Sequence, residues 1–223
     1  MNKNLMENNF LEFKSKNTYS TMNFLSSKTK TIWIVCHGFG QLSKHFIRRF
    51  DVLDKEYNFI VAPEGISKFY LHNKYDLVGA SWITKENIEI DIYNQKKYFD
   101  SLFTFLFDRI NLSNYKINLL GFSQGVNVVL RLLSYKKVEF NKLILWAGGF
   151  PNELNKSDYL FLKKNSIKIF LVIGNKDEFY NEDNLKSYNL KIKDVFDKNP
   201  IQIIFKGKHE VKREIIKLID EKY

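Results

Sequence analysis

The chain contains few of the residues that form disulfides or mark linkers between domains. Its 223 residues include one cysteine (Cys36), three prolines and ten glycines. A single cysteine excludes an internal disulfide framework and suits a reducing compartment. No linker-like or repeated segment interrupts the chain, so we expect one domain over residues 1–223. The apolar runs are too short to span a membrane, and the first ten residues lack the apolar core of a signal peptide, which favours a cytoplasmic protein without stable membrane insertion.

Acidic residues are also in deficit. The sequence has 35 lysines and arginines against 25 aspartates and glutamates, a formal charge of +10. The basic residues are scattered among acidic ones and form no block or recognition motif, so we expect a solvated surface and no nucleic-acid partner. No cluster has metal-ligand spacing, and the turn "HGFGQ" lacks the third glycine of a dinucleotide fingerprint. We therefore expect no metal and no cofactor.

What the sequence does contain is a regular alternation of strand-like and helix-like patterns. Continuously apolar runs, typical of parallel strands buried on both faces, lie at 31–36, 58–63, 116–121, 142–148, 167–174 and 201–205. Helical apolar faces between them contain Leu42, Phe46, Phe50 and Leu53; Phe99, Leu102, Phe103, Leu106 and Ile110; and Val211, Ile215 and Leu218. This order predicts an α/β fold with a mainly parallel sheet of about eight strands and helices on both faces.

Two segments are predicted to lie outside this alternation. Residues 9–24 alternate and have central turn-forming residues, which favours an antiparallel hairpin at the sheet edge. Residues 63–86 form a long, aromatic-rich connection. In open α/β sheets ligands bind beyond the carboxyl ends of the strands, so we expect the functional residues directly after the apolar runs.

The strongest motif is "GFSQG", residues 121–125, which follows a predicted strand and precedes a predicted helix. In this context G-x-S-x-G is typical of a nucleophile elbow: a tight turn strains the serine backbone and projects its hydroxyl into the cleft. Ser123 is the predicted nucleophile. The alternative is an ordinary strand–helix loop with a capping serine.

A nucleophilic serine needs a histidine base and an acid that orients it, in the chain order serine, acid, histidine for this architecture. His209 is the only histidine after Ser123. Asp177, three residues beyond the strand that ends at Gly174, is the predicted acid. The alternatives are the adjacent Glu178 and Asp183, which looks like a helix cap.

The loop after the first central strand, "CHGFGQ" at residues 36–41, is predicted to complete an oxyanion hole. Its glycines allow a backbone amide to turn into the cleft, so the amides of Phe39 and Gln124 are the predicted donors. His37 precedes the serine and is predicted to brace this loop. Cys36 is predicted to be a buried strand residue, because adjacent strand residues point to opposite faces and His37 is badly placed to activate it.

The motifs "HGFGQ", "GFSQG", "GNKDEFY" and "GKHEV", in this order, resemble those of small serine esterases of the α/β-hydrolase fold. The resemblance is to the carboxylesterase/phospholipase family that includes acyl-protein thioesterases, and it covers roughly residues 30–215. It implies Ser123, Asp177 and His209 as the catalytic triad, with the amides of Phe39 and Gln124 as the oxyanion hole. Ser123 and Asp177 are 54 positions apart, a stretch that two strands, their helix and the connections fill, so we expect no cap domain. The chain departs from the thioesterases after the first glycine pair, where an acidic residue is missing, and at Val126, where they have another glycine.

The predicted function is cleavage of small carboxylic esters through an acyl-serine intermediate. Tyr70 and Trp82 are candidates for lining a substrate pocket, with packing of the long connection as the alternative. A lysophospholipase or acyl-protein thioesterase is the alternative enzyme. A non-catalytic binding module is the alternative from another class, since the fold alone does not fix function.

Overall fold

The computed structural model describes residues 7–71, 75–162, 167–179 and 181–223. The strands in this part of the chain are β1 Tyr19–Met22, β2 Thr31–Cys36, β3 Asn58–Pro63, β4 Ser67–Tyr70, β5 Val78–Ser81, β6 Lys116–Phe122, β7 Lys142–Trp146, β8 Lys168–Gly174 and β9 Ile201–Phe205. The α-helices are α1 Ser43–Phe46, α2 Ile88–Phe107, α3 Gln124–Lys136, α4 Glu182–Phe196 and α5 Arg213–Lys222. Among the described residues, short 3₁₀ helices lie at Ile47–Phe50, Leu112–Asn114 and Lys156–Tyr159.

Seven strands form one sheet in the order β1-β3-β2-β6-β7-β8-β9. All neighbours pair in parallel except β1, which is antiparallel to β3. The strand order changes direction at β2: β3 and β1 lie on one side of it, and β6 to β9 lie on the other. The parallel carboxyl ends therefore lie along a single edge of the sheet, and the loops after β2, β6, β8 and β9 meet there.

The sheet is covered on both faces, which explains its continuous apolar runs. Along β2, Ile32 and Ile34 pack with α2, α3 and α4, whereas Trp33 and Val35 pack with α1 and α5. Every residue of β2 is buried, as the period of two requires when both faces are covered. Of the predicted sheet, the parallel strands and the helices on both faces are confirmed.

The predicted antiparallel strand at the N-terminal edge of the sheet is confirmed, but the predicted hairpin within residues 9–24 is wrong. Of residues 9–24, only Tyr19–Met22 form a strand, and residues 9–18 have no regular structure. The partner of this strand is β3, with Tyr19 opposite Pro63 and Met22 opposite Ile60. The strand satisfies the free edge of β3 instead of closing a local hairpin, so the sheet has seven strands rather than about eight.

The long connection at 63–86 contains a small antiparallel sheet of its own. In it β4 pairs with β5, Ser67 opposite Ser81 and Tyr70 opposite Val78. Gln41 in the loop after β2 forms a bridge to Ala80, which ties this small sheet to the edge where the strands end. No cap domain lies among the described residues between Ser123 and Asp177.

The apolar face predicted for the last helix is only partly right. Val211 is buried, but α5 begins at Arg213, and its buried residues are Ile216 and Ile219. Leu218 is exposed. Ile215 is partly buried against the core, so the buried face of α5 lies one position from the predicted one. No helix among the described residues is both long and apolar enough to cross a membrane.

Candidate active site

Ser123 lies at an abrupt junction between β6, which ends at Phe122, and α3, which begins at Gln124. Its backbone has φ 53° and ψ −120°, a strained conformation for a residue with a side chain. Two backbone hydrogen bonds hold it: its N–H donates to Trp146 O at 2.8 Å, and its carbonyl accepts from Val126 N–H at 3.0 Å. The strained turn predicted from "GFSQG" is therefore present.

The two glycines of the elbow are required by close approaches of the backbone. A Cβ on Gly121 would lie 2.3 Å from Gly125 O, and one on Gly125 would lie 2.2 Å from Cys36 O. Both distances are much shorter than a van der Waals contact. The nearest atoms belong to the main chain, so they cannot move away as a flexible side chain could. The spacing of glycine, serine and glycine thus lets α3 start directly against β6 and β2.

His209 and Asp177 meet at the same edge of the sheet. Asp177 Oδ2 lies 2.8 Å from His209 Nδ1, and Asp177 Oδ1 accepts a hydrogen bond from Phe179 N–H at 2.9 Å. The carboxylate is fully buried, whereas about a quarter of the histidine side chain is exposed. The imidazole packs between the rings of Phe122 and Phe179, whose centroids are 4.8 and 5.2 Å away.

The loops that carry these two residues are fastened to each other. Asn175 N–H donates to Phe205 O, and Lys176 N–H donates to Gly207 O, each at 2.8 Å. Trp146 Nε1–H donates to Glu210 O at 3.0 Å, which holds the chain next to the histidine. The positions of the acid and the histidine thus follow from the β8–β9 pairing.

The alternative acids do not contact His209. Glu178 is exposed. Asp183 is exposed in the first turn of α4, where Asn181 caps the helix by accepting from Asn184 N–H at 2.7 Å. The structure therefore pairs only Asp177 with the histidine.

The hydroxyl of Ser123 forms no hydrogen bond to His209 in this structure.

The "HGFGQ" loop lies against the elbow. A Cβ on Gly38 would lie 3.1 Å from Ser123 Cβ, so the loop backbone passes directly beside the serine. Gly38 N–H donates to Gln41 Oε1 at 2.9 Å, and Gly40 N–H donates to Ala80 O at 2.9 Å. The amides of Phe39 and Gln124 have no protein partner among the described residues. The Phe39 ring is exposed and stacks on Phe69 at 5.0 Å.

The Gln124 side chain also has a structural contact that the sequence did not indicate. Its Oε1 accepts from Trp82 N–H at 2.9 Å, and its Nε2 donates to Ile83 O at 2.8 Å. The residue after the serine is therefore fastened to the chain that follows β5. This contact joins residues 41 and 42 positions apart in sequence.

His37 braces the loop, as predicted, through contacts that the sequence did not indicate. Its Nδ1 lies 2.8 Å from Gly38 O, and its Nε2 lies 3.0 Å from Gly65 N and 3.1 Å from Glu64 Oε1. Glu64 also accepts from Ser43 N–H and Ser43 Oγ–H, each at 3.1 Å. Burial tends to raise the pKa of Glu64, but the hydrogen bonds from His37 and Ser43 outweigh it and the pKa is lowered.

Cys36 is unsuited to nucleophilic chemistry, as the sequence predicted. Its side chain is completely buried at the end of β2. Burial raises the pKa of its thiol far above the usual range, so the reactive thiolate does not form near neutral pH.

A cavity of about 390 Å³ opens beside Ser123, between α3 and α4. Leu171, Ile173, Leu185 and Phe179 give it an apolar wall, and Gln124 and Asn127 line it next to the serine. The remaining lining residues are Ala147, Gly148, Gly149, Asn181, Asn184, Ser187 and Tyr188. None of these side chains is an acid or a base. The described residues include no group of acids, histidines or cysteines arranged to hold a metal ion.

The two aromatic residues predicted to line a substrate pocket do not line this cavity. Trp82 is buried, donates from Nε1–H to His37 O at 2.9 Å and packs on the rings of His37 and Phe99. These contacts pack the long connection onto the body of the fold, which is the alternative that the sequence left open for Trp82. Tyr70 is exposed and contacts Tyr75 edge-on, 5.2 Å between centroids.

The sequence profile of the serine hydrolase (FSH1) family matches residues 26–214, most of the chain. The chain belongs to this family. No curated protein matches its sequence significantly. The predicted class of enzyme, a serine hydrolase, is therefore confirmed.

Three solved structures similar to this FSH1-family chain illustrate the fold. Acyl-protein thioesterase 2 from Zea mays is 14% identical, with a TM-score of 0.65 over 92% of this chain and 96% of that one. A phospholipase/carboxylesterase from Dyadobacter fermentans is 17% identical, with a TM-score of 0.63 over 94% and 97%. The Bacillus cereus carboxylesterase is 11% identical, with a TM-score of 0.63 over 93% and 95%. The predicted α/β-hydrolase fold without a cap domain is confirmed.

Proposed function

We propose that this serine hydrolase cleaves carboxylic esters of small molecules through an acyl-serine intermediate, with Ser123, Asp177 and His209 as its catalytic triad. The observation that carries the proposal is the Asp177–His209 pair, 2.8 Å between Oδ2 and Nδ1, at the sheet edge where the strained Ser123 elbow also lies. The order serine, acid, histidine is that of α/β-hydrolases.

In the proposed reaction, Ser123 Oγ attacks the ester carbonyl while His209 Nε2 accepts the hydroxyl proton. His209 then returns this proton to the leaving alkoxide, and a water molecule attacks the acyl-serine with the same histidine as base. Asp177 accepts from His209 Nδ1–H, which leaves Nε2 free for the serine and stabilises the imidazolium. The second hydrogen bond of the carboxylate, from Phe179 N–H, keeps it aimed at the ring.

The proposed oxyanion hole consists of the amides of Phe39 and Gln124. Both lie beside the serine, one in the loop against the elbow and one at the first residue of α3, and both lack a protein partner among the described residues. An amide at a helix N-terminus favours negative charge, so a developing oxyanion is stabilised there.

The open edge of the sheet and the modest cavity support small esters as substrates. No cap domain covers Ser123 among the described residues, and the cavity volume of about 390 Å³ suits a short acyl group. Thioesters share the same acyl-transfer chemistry and belong in the same substrate panel.

The proposal is tested with the purified protein and p-nitrophenyl acetate and butyrate, together with covalent labelling by a fluorophosphonate. We expect hydrolysis of both esters and one label per chain, on Ser123. S123A is the matched control and should lose both the turnover and the label. A folded wild-type protein that neither hydrolyses these esters nor takes the label would overturn the proposal.

A further inference from the structure

Asn127 is a polar residue inside an otherwise apolar stretch of α3. The residues around it, Val126, Val128, Val129 and Leu130, are all buried, whereas Asn127 is half-buried and lines the cavity beside Ser123. Asparagine is among the weaker residues for a helix interior. Its presence where the helix is otherwise apolar calls for a physical reason.

The Asn127 side chain has no hydrogen-bond partner among the described residues. The amide carries two donors and an acceptor, and it lies on the lining of the open cavity. Side chains on a helix lean back toward its N-terminus, which directs this amide toward the Ser123 end of the cavity. The polar group is therefore free to bind whatever occupies the cavity.

Other polar groups around the cavity are already engaged or lie at its rim. Asn181 Oδ1 accepts from Asn184 N–H at 2.7 Å, and Tyr188 donates its hydroxyl hydrogen to Gly148 O. Asn184 and Ser187 are exposed to solvent. Burial raises the pKa of Tyr188, so this hydroxyl stays neutral. The interior of the cavity thus combines an apolar wall with one unengaged, uncharged amide.

We propose that Asn127 is a specificity-determining residue that hydrogen-bonds an uncharged oxygen, a hydroxyl or a ketone, near the third carbon of the substrate's acyl chain. This inference rests on the proposed ester hydrolysis at Ser123 and names the class of its substrate as hydroxy- or oxo-acyl esters. A charged acyl chain is disfavoured because no side chain of opposite charge lines the cavity.

The position of Asn127 agrees with this assignment. Asn127 is the fourth residue of α3, about one helical turn beyond Ser123, and both residues line the same cavity. With the acyl carbon bound to Ser123 Oγ, we expect an oxygen on the third carbon to reach the Asn127 amide, because both residues line the cavity. His209 does not line the cavity. The leaving group must stay beside His209 to receive its proton, so the cavity receives the acyl group rather than the alcohol.

The test compares phenyl butyrate with phenyl 3-hydroxybutyrate, which share the chain length and the leaving group. We expect wild-type kcat/KM to favour the hydroxylated ester about tenfold, the effect of one neutral hydrogen bond. N127L should reduce this ratio to about one. N94L is the matched control, because Asn94 is an exposed residue inside α2 that does not line the cavity. Its ratio should equal that of the wild type.

A stability measurement separates this role from a structural one. Leucine is a better helix former than asparagine and its side chain would face free space in the cavity, so Tm of N127L should stay at or above that of the wild type. A wild-type ratio near one, or a ratio that N127L leaves unchanged, would overturn the inference while hydrolysis and fluorophosphonate labelling still supported the proposed function. Loss of labelling as well would mean that the function had failed.

Discussion

At the scale of single residues, Asp177 differs from its neighbour Glu178 in burial rather than in charge. Both oxygens of Asp177 are engaged, one by His209 and one by Phe179 N–H, inside a fully buried site. Glu178 is exposed. A buried carboxylate fixes the orientation of the imidazole, whereas an exposed one is free to rotate in solvent.

We therefore expect D177A to lower kcat by about 10⁴-fold, because the imidazole loses both its orientation and the charge that stabilises its protonated form. E178A is the matched control and should keep wild-type kcat. Steady-state kinetics with p-nitrophenyl butyrate measures both, and circular dichroism checks that the variants are folded. Near-normal turnover of folded D177A with loss of activity in E178A would make Asp177 the wrong acid.

Ser123 and His209 should behave as one unit. We expect S123A and H209A each to reduce kcat by roughly 10⁴-fold to 10⁶-fold, and the double variant to be scarcely worse than either, because each residue is useless without the other. The same ester assay measures all three proteins. If the two losses multiplied in the double variant, the residues would be acting independently and the proposed proton transfer between them would be wrong.

Residue patterns predicted the elbow and the Asp177–His209 contact but missed the residues that hold the neighbouring loop. "GFSQG" is legible in the sequence because a sharp turn between strand and helix demands small residues at fixed spacing. Glu64 and the Gln124 side chain carry no such local signature. Their partners, Ser43 and Trp82, lie 21 and 42 positions away in sequence, and only the completed sheet brings them together.

At the scale of elements, the junction of β6 and α3 depends on Gly125. We expect G125A to lower the free energy of unfolding by about 3 kcal/mol, because its Cβ would lie 2.2 Å from the main-chain carbonyl of Cys36. G149A is the control: the closest atom to its Cβ would be Tyr188 Oη at 3.7 Å, an ordinary contact, so stability should change by less than about 0.5 kcal/mol. Urea denaturation measures both. Equal stability of the two variants would contradict the close approach.

Glu64, which contacts the first residue of α1, should make the free energy of unfolding depend on pH. Its pKa in the folded state is lowered below the ordinary value of 4.5, so its carboxylate stabilises the fold above that pH, and the contribution disappears as pH falls through the folded-state pKa. We expect wild type to be more stable than E64Q near pH 7 and the difference to vanish at acid pH, as measured by urea denaturation. A difference that stayed constant from pH 7 to 3 would contradict a charged Glu64.

The type of each element was easier to predict from the sequence than the strand or side chain that it contacts. The alternation in residues 9–24 correctly indicated extended structure at Tyr19–Met22, but nothing local specified that its partner would be β3, about forty residues further along. The role of Trp82 was left open for the same reason, because the sequence pattern of an aromatic residue on a long connection is the same whether the residue faces a substrate or the core. Its contacts with His37 and Phe99 exist only in the assembled fold.

At the scale of the whole molecule, β1 closes the edge of the sheet next to the strands that carry the candidate site. Four residues of β1 pair with β3, and Ser20 Oγ lies 3.0 Å from Ser43 Oγ, beside the Glu64 network. Beyond the strand, Asn23 Nδ2 donates to Asn58 O at 2.9 Å. An uncovered β3 would present unpaired backbone groups, a common cause of aggregation.

This arrangement predicts different results for two N-terminal deletions, one of residues 1–16 and one of residues 1–22. Both lack residues 1–16, so their difference isolates residues 17–22, which include β1. The longer deletion removes several backbone hydrogen bonds and should cost at least about 3 kcal/mol, or roughly 10 °C in Tm for a protein of this size. Differential scanning calorimetry measures the difference, and size-exclusion chromatography should detect aggregation only in the longer deletion. Equal Tm and equal solubility of the two proteins would mean that β1 is dispensable and that β3 tolerates a free edge.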